Sequence, residues 1–408
     1  MELRNVFLRI DSIDIKGGDK ILLFGVGLDG QEVVGKVMWG TSSKELPGLM
    51  YEASVYKKLV NPMVNQYNES INMVTMYAWL PKMPAMEFYS QLHEVAPLEE
   101  VHKVLNVVKR MVSIYMWILV TNVPDNLIGS AIEVLDNYPQ FATQALFQMM
   151  YTIRSCTNRG LIHNDLHMGN WLVSMPGKRV VYALTSEMGY MDPGNVMVYL
   201  YDWDRAYHKL LGENPLLKVG NGLCLPYGQC NSDKPGRDMG QTVCEWATTV
   251  MDVDTLCDKD GVQYGPDVYP FWARGPMCKN IASGRDQHLC ITNHDQIPCT
   301  YIGNMFPTLL KMPGVKENLV NFNDPKIARQ ILNDDVDFVV LGGMDSNTIE
   351  RTLKGAIKTT LPVQIQMPVG LASRRILSES SQSSDPMSVG SGASYSVNTL
   401  PLEMSRST

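Results

Sequence analysis

The most specific pattern in the chain lies at residues 161–173, which read Leu-Ile-His-Asn-Asp-Leu-His-Met-Gly-Asn-Trp-Leu-Val. Before it, apolar residues recur at helical spacing over 139–159, and Gly160 favours the end of that helix. After it, the apolar residues from Trp171 onward are typical of a strand. The polar residues in between therefore form a loop that can present Asp165 and Asn170 to a cleft.

A second acidic pattern follows an apolar strand at 196–201 and reads Asp-Trp-Asp at 202–204. Phosphoryl transfer needs a carboxylate for the attacking hydroxyl, oxygen ligands for magnesium and a cation for the nucleotide phosphates. Asp165 suits the first role. Asn170 and Asp202 suit the second, because Mg²⁺ prefers hard oxygen ligands. Lys36, on a strand predicted at 32–39, suits the third.

Three motifs together resemble the protein-kinase superfamily. His163-x-Asp165-x₄-Asn170 resembles the catalytic loop, Asp202-Trp203-Asp204 the Asp-Phe-Gly motif, and Val34-Gly35-Lys36 the Val-Ala-x-Lys strand. The motifs occur in the family's order, and the resemblance covers residues from about 6 to 251. With Asn-Asp-Leu-His and Tyr-Asp-Trp-Asp-Arg-Ala, the chain is similar to the serine/threonine kinases described for large nucleocytoplasmic DNA viruses.

The pattern of elements predicts an α+β protein, because a β-rich first third precedes a helix-rich remainder. The resemblance implies a bilobal kinase-like fold, with a β-rich N-lobe at 1–121 and a helical C-lobe at 122–371. A helix predicted at 97–112 is an insertion in the N-lobe. Residues 372–408 are Ser-rich with few large apolar side chains, which predicts a disordered tail. The tail is either a phosphorylation target or a plain solvated segment.

The resemblance assigns the remaining site residues. Lys36 contacts the nucleotide phosphates and pairs with Glu52, which lies beside the apolar stripe of a helix predicted at 47–60. The helical pattern alone favours a surface Glu52 at the edge of the stripe, and Lys36 upstream at suitable spacing favours the pair instead. Gly17 and Gly18, in the first hairpin, are the predicted phosphate contacts. A hinge near 121–125, including Thr121 and Val123, meets adenine.

Gly25-x-Gly27-x-x-Gly30 also fits a glycine-rich phosphate loop. A single match of this kind is weakly specific. It lies only 11 residues before Lys36 and spans the end of a predicted strand and the next turn. We therefore favour the hairpin at 16–19 as the phosphate loop.

Three positions depart from the family pattern. Asn164 stands where many protein kinases have Arg, and Asp204 stands where the metal motif ends in Gly. His167 stands where protein-serine kinases usually have Lys, and it resembles small-molecule phosphotransferases in this respect. It either donates a hydrogen bond to the transferred phosphate, as a catalytic residue, or packs the loop.

Asp238 opens a predicted helix, and the resemblance implies that it holds the catalytic-loop backbone.

These patterns predict an enzyme, an ATP-Mg²⁺-dependent serine/threonine protein kinase that transfers the γ-phosphate to a hydroxyl of a protein substrate. One alternative is a small-molecule kinase of the aminoglycoside or choline type. Another is a pseudokinase that serves as a scaffold. The presence of Lys36, Asp165, Asn170 and Asp202 argues against the scaffold.

Charge and composition limit the partners. The 408 residues carry a net charge of -7, which argues against broad binding to nucleic acid. The longest strongly apolar run, 114–120, is too short to span a membrane. With no secretory signal, we expect an intracellular protein, in host cytoplasm or virion if it is viral. The eight Cys are expected as free thiols. A loose cluster of Cys and His lies at 278–299. Because it has no paired Cys-x₂-Cys, we interpret its Cys residues as ordinary buried thiols and not as ligands of a zinc site.

Overall fold

A computed structural model describes the fold, and the described residues belong to one compact unit. They are residues 2–16, 20–109, 113–217, 309–333 and 335–358, with Asp238, Thr242 and Trp246. Gly17, Gly18, the Cys/His cluster at 278–299 and the tail at 372–408 lie outside the described residues. The predicted mixed α+β fold, with a β-rich N-terminal region and helices later, is confirmed.

The N-terminal region is a five-stranded antiparallel sheet in the order β1-β2-β3-β5-β4. Its strands are β1 Phe7–Lys16, β2 Lys20–Gly27, β3 Glu32–Gly40, β4 Met76–Pro84 and β5 Tyr115–Asn122. Side chains alternate between the two faces of a strand. Val33 and Val37 of β3 are therefore buried on one face, and Lys36 lies on the other.

Gly25 has a packing role in this sheet. A Cβ atom at this position would lie 2.3 Å from the carbonyl oxygen of Arg9 on β1. No larger residue fits without moving the β1 backbone. This close approach accounts for the glycine at position 25.

Three helices pack against the sheet: α1 Pro47–Val55, α2 Ala85–Val95 and α3 Leu98–Val108. Helix α1 continues through two π-helical turns, Tyr56–Val60 and Pro62–Gln66. The sequence predicts one inserted helix at 97–112, whereas the structure has two helices over 85–108. Pro97 separates them, because proline favours the start of a helix and the residue before it disfavours helical conformation. Both helices bury apolar side chains under the sheet.

The described residues after β5 form shorter strands and four α-helices. The strands are β6 Leu127–Ser130, β7 Trp171–Ser174, β8 Val180–Ala183, β9 Met188–Asp192, β10 Met197–Leu200, β11 Leu319–Asn321 and β12 Asp337–Val340. The helices are α4 Ala131–Asn137, α5 Ala142–Asn158, α6 Pro325–Leu332 and α7 Ser346–Lys358. In the described part of the chain, these strands form sheets ordered β10-β7-β6 and β11-β9-β8-β12. No helix there is long and apolar enough to cross a membrane.

A buried polar network holds α5 against the strand that leads to Asp202. Gln148 on α5 donates from Nε2 to Asp192 Oδ2 at 2.7 Å and accepts at Oε1 from the Val198 amide at 2.8 Å. Asn72 joins the network by donating to the same Oε1 at 3.1 Å. Burial raises the pKa of Asp192 to about 6, although donors from Gly194, Gln148 and Gln144 oppose this rise.

The raised pKa of Asp192 predicts a pH-dependent stability. The folded protein holds the proton more tightly than the unfolded chain, whose carboxyl titrates near the ordinary value of 3.8. The Asp192 carboxyl therefore stabilises the fold fully below its ordinary pKa of 3.8, and this stabilisation is lost as the pH rises through about 6. Between pH 4 and pH 7, we expect the unmodified protein to lose about 2 kcal/mol relative to Asp192→Asn.

Urea unfolding of both proteins across this pH range measures the difference. The asparagine also adds a cost that does not change with pH, because its amide nitrogen cannot accept a hydrogen bond. The same substitution at the exposed Asp136 is the control. A stability difference that stays constant with pH would contradict the prediction.

Candidate active site

A cavity of about 350 Å³ lies at the face of the N-terminal sheet that carries Lys36. The register pairs Lys36 with Leu22 on β2 and with Leu119 on β5, so these side chains share a face. Leu172 on β7 also lines the cavity. Five of the residues predicted for the site line it together: Lys36, Glu52, Thr121, Val123 and Asp202. A pocket with apolar walls and a few convergent charges is typical of a small-molecule site.

Lys36 lies between two carboxylates. Its Nζ atom is 2.9 Å from Glu52 Oε2 and 3.1 Å from Asp202 Oδ1. Burial by itself lowers the pKa of Lys36, but Glu52, Asp202 and the more distant Asp204 outweigh burial and hold the pKa above its usual value. The ammonium group is therefore charged at neutral pH, and it links α1 to the end of β10.

Glu52 is the most buried member of this cluster, with only 2% of the residue exposed. Burial raises its pKa to about 7, and the neighbouring ammonium of Lys36 limits the rise. The surface position that the helical pattern left open does not occur. Instead, the side chain points inward to the partner that the resemblance implies.

The pKa of Asp202 is shifted in the opposite direction to that of Glu52. Burial by itself raises its pKa, but Lys36 outweighs burial and holds the pKa below its usual value. Asp202 has a left-handed backbone with φ of 65°, which few residues other than glycine adopt. The pKa of Asp204 is raised by burial and by the charge of Asp202.

The loop at 161–170 is anchored through its backbone. Asp238 accepts hydrogen bonds from the amides of His163 and Asn164, at 2.6 Å and 2.9 Å. The ring nitrogen Nε2 of His163 lies 3.0 Å from the carbonyl oxygen of Tyr201, the residue before Asp202. The loop is therefore tied both to the residue predicted for this purpose and to the end of β10.

Asn170 closes the loop. Its Nδ2 donates to the carbonyl of Asp165 at 2.7 Å, and its carbonyl accepts from the amide of Tyr201 at 3.2 Å. This arrangement uses the amide nitrogen internally and leaves Oδ1 as the side-chain atom suited to a metal. Among the residues that the structure describes, no cluster of three or more His, Cys, Asp or Glu side chains could hold a metal ion.

Asp165 lies beside two basic side chains. Arg205 Nη1 is 2.9 Å from Asp165 Oδ1, and His167 Nε2 is 3.9 Å from Asp165 Oδ2. His167 Nδ1 also accepts from the amide of Gly169 at 3.1 Å. The ring thus packs the loop through one nitrogen, as one interpretation predicts, and leaves the other near Asp165.

Sequence reasoning missed two residues, Lys20 and Arg205. Lys20 lines the cavity, and its positive charge helps to lower the pKa of Asp202. The signal was its spacing, because Lys20 lies two residues before Leu22, which pairs with Lys36. Arg205 directly follows the acidic triplet, but no spacing rule indicated that it turns back to Asp165.

No protein-family model matches the chain, and no curated protein does.

The anchoring role of Asp238 predicts a graded loss of stability. Asp238→Ala leaves two buried backbone amides without acceptors, which costs about 1–3 kcal/mol for each. Asp238→Asn keeps one acceptor oxygen and should lose about half as much. Urea unfolding measures these differences, with Asp136→Ala as an exposed control.

Hydrogen exchange at the amides of His163 and Asn164 should accelerate in the same order, from the unmodified protein through Asp238→Asn to Asp238→Ala. Equal protection in all three proteins would show that Asp238 does not hold this loop.

Proposed function

We propose that this chain is an ATP-Mg²⁺-dependent phosphotransferase, a serine/threonine protein kinase with a bilobal kinase-like fold. The observation that carries the proposal is the convergence of Lys36, Glu52 and Asp202 at one cavity. The loop with Asp165 and Asn170 adjoins this cluster through the carbonyl and amide of Tyr201. The proposed N-lobe is 1–121 and the C-lobe 122–371.

The cavity suits a nucleotide with its base against the apolar wall. Leu22, Val34 and Leu119 supply this wall near Thr121. The backbone amide of Val123 donates to the carbonyl of Glu32 at 2.9 Å, so Val123 contributes its carbonyl and side chain to the hinge. Lys36 and Lys20 supply the positive charge for the phosphates.

The donor set fits magnesium. Mg²⁺ is usually held by one or two carboxylates together with substrate phosphates and water, and not by a full protein cage. Asp202 and the amide oxygen of Asn170 would hold it. When bound, the ion neutralises charge on the phosphates.

In the proposed reaction, Asp165 orients a substrate hydroxyl toward the γ-phosphorus. The hydroxyl oxygen forms a bond to phosphorus while the bond from phosphorus to the β,γ-bridging oxygen breaks. The electron pair of that bond leaves with ADP, and the hydroxyl proton passes to the carboxylate of Asp165. Positioning and charge neutralisation account for most of the rate, since the protein forms no covalent bond itself.

The acceptor is proposed to be a Ser or Thr hydroxyl of a protein. A small metabolite remains the main alternative, because Asn164 and His167 differ from the usual protein-kinase residues. A viral source, with a location in host cytoplasm or virion, rests on resemblance alone.

Transfer of labelled phosphate from ATP tests the proposed function. The full chain is incubated with ATP-Mg²⁺ and either a Ser/Thr peptide library or a panel of cationic metabolites. Asp165→Asn should reduce transfer by about 10²–10⁴-fold, as expected for loss of a general base. Lys36→Met and Asp202→Ala should also reduce it, and the exposed Asp136→Asn should not.

Each result of this assay has a distinct meaning. Transfer to metabolites alone would replace the protein kinase by a small-molecule kinase. A folded, ATP-binding chain with no transfer to any acceptor would favour the scaffold. Equal transfer by the unmodified protein and Asp165→Asn would contradict the mechanism.

Lys20 should contribute to phosphate binding and not to binding of the base. We expect Lys20→Met to weaken binding of a non-hydrolysable ATP analogue by roughly tenfold, the effect of losing about 1.4 kcal/mol of charged contact. Affinity for adenosine should stay the same. Calorimetric titration of both ligands measures this, and Lys57→Met, an exposed lysine, is the control. An equal loss for both ligands would argue against a phosphate contact.

A further inference from the structure

The two carboxylate oxygens of Asp165 have different surroundings. Oδ1 lies 2.9 Å from Nη1 of Arg205, within hydrogen-bond distance. Oδ2 lies 3.9 Å from His167 Nε2, too far for a direct hydrogen bond. The Asp165 side chain is one-fifth exposed, so a ligand can reach it. Among the residues that the structure describes, one oxygen is therefore occupied and the other is open.

Arg205 is itself held by the loop that carries Asp165. Nδ2 of Asn164 donates to the carbonyl of Arg205 at 3.1 Å, while the amide of Asn164 donates to Asp238. Asn164 takes a left-handed backbone with φ of 68°, which asparagine tolerates better than most residues. The backbone of Arg205 is thus fixed relative to the loop, and its guanidinium reaches Asp165 as an ion pair.

From this geometry we propose that Arg205 is a positioning residue that occupies Oδ1 of Asp165 and leaves Oδ2 as the oxygen that receives the substrate proton. The inference rests on the proposed function. Arginine suits this role because it stays charged and its planar guanidinium has fixed donor directions. Asn164 supports Arg205 from the position where many protein kinases carry an arginine of their own.

In this arrangement each atom that takes part in the transfer has a defined partner. The acceptor hydroxyl gives its proton to Oδ2, its oxygen bonds to the γ-phosphorus, and the bridging oxygen leaves with ADP and the electron pair of the broken bond. Arg205 stays on Oδ1 throughout, so it forms no bond to the substrate. Its loss should slow the transfer without weakening ATP binding.

The competing explanation is an ordinary surface ion pair. The Arg205 side chain is 35% exposed, and pairs this exposed contribute little to stability. A structural role would change the thermal midpoint, whereas a positioning role changes kcat. The two explanations therefore separate in kinetics.

Steady-state transfer to a Ser/Thr peptide library and to water tests the inference on the full chain. Arg205→Met should lower kcat by about 10–100-fold, the cost of a misplaced catalytic group, with KM for ATP unchanged. Arg205→Lys should recover part of kcat because it keeps the charge. Arg351→Met, which removes an exposed arginine on α7, should have no effect.

A double variant shows whether Arg205 acts through Asp165. In the Asp165→Asn background, Arg205→Met should cause little further loss, because coupled residues are not additive. Full additivity, or an unchanged kcat in Arg205→Met alone, overturns the positioning role and leaves the proposed function standing. No transfer by the unmodified protein to peptides, metabolites or water overturns the proposed function and the positioning role together.

Discussion

The ammonium of Lys36, held between Glu52 and Asp202, is the interaction on which the rest of the site depends. Glu52 is buried and Lys36 and Asp202 are partly buried, and a buried charge without a partner is strongly destabilising. The cluster therefore fixes three distant parts of the chain at once: strand β3, helix α1 and the residues after β10. The cavity exists where it does because these parts must meet at one cation.

Buried contacts of a second kind keep those parts in register. Asp192 and Gln148 connect α5 to the backbone of β10, whose last residue lies two positions before Asp202. Asp238 holds the loop of Asp165 through two backbone amides. Polar groups in the core restrict the alternatives that apolar packing would allow, because each must find its own partner. The buried contacts of Asp192, Gln148 and Asp238 thus hold the elements that carry Asp202 and Asp165.

Prediction from sequence succeeded where a local pattern carries the information. The alternation over 32–39 placed Lys36 on a strand, and the apolar spacing over 139–159 predicted a helix that the structure has at Ala142–Asn158. The apolar run at 71–80 also predicts a strand, but Asn72 belongs to the buried network and the strand begins at Met76. Helix α2 was missed, although its apolar residues pack under the sheet.

The sequence by itself determined which chemical groups are present and the elements that carry them, because periodicity and motif spacing are local properties. It left open whether Glu52 faces solvent or Lys36, and it gave no sign that Arg205 reaches Asp165. Only the tertiary structure decided these points, since each depends on residues apart in the chain: Glu52 lies 16 positions after Lys36, and Arg205 lies 40 positions after Asp165. Contacts of this length follow from how the elements pack, and no spacing rule encodes them.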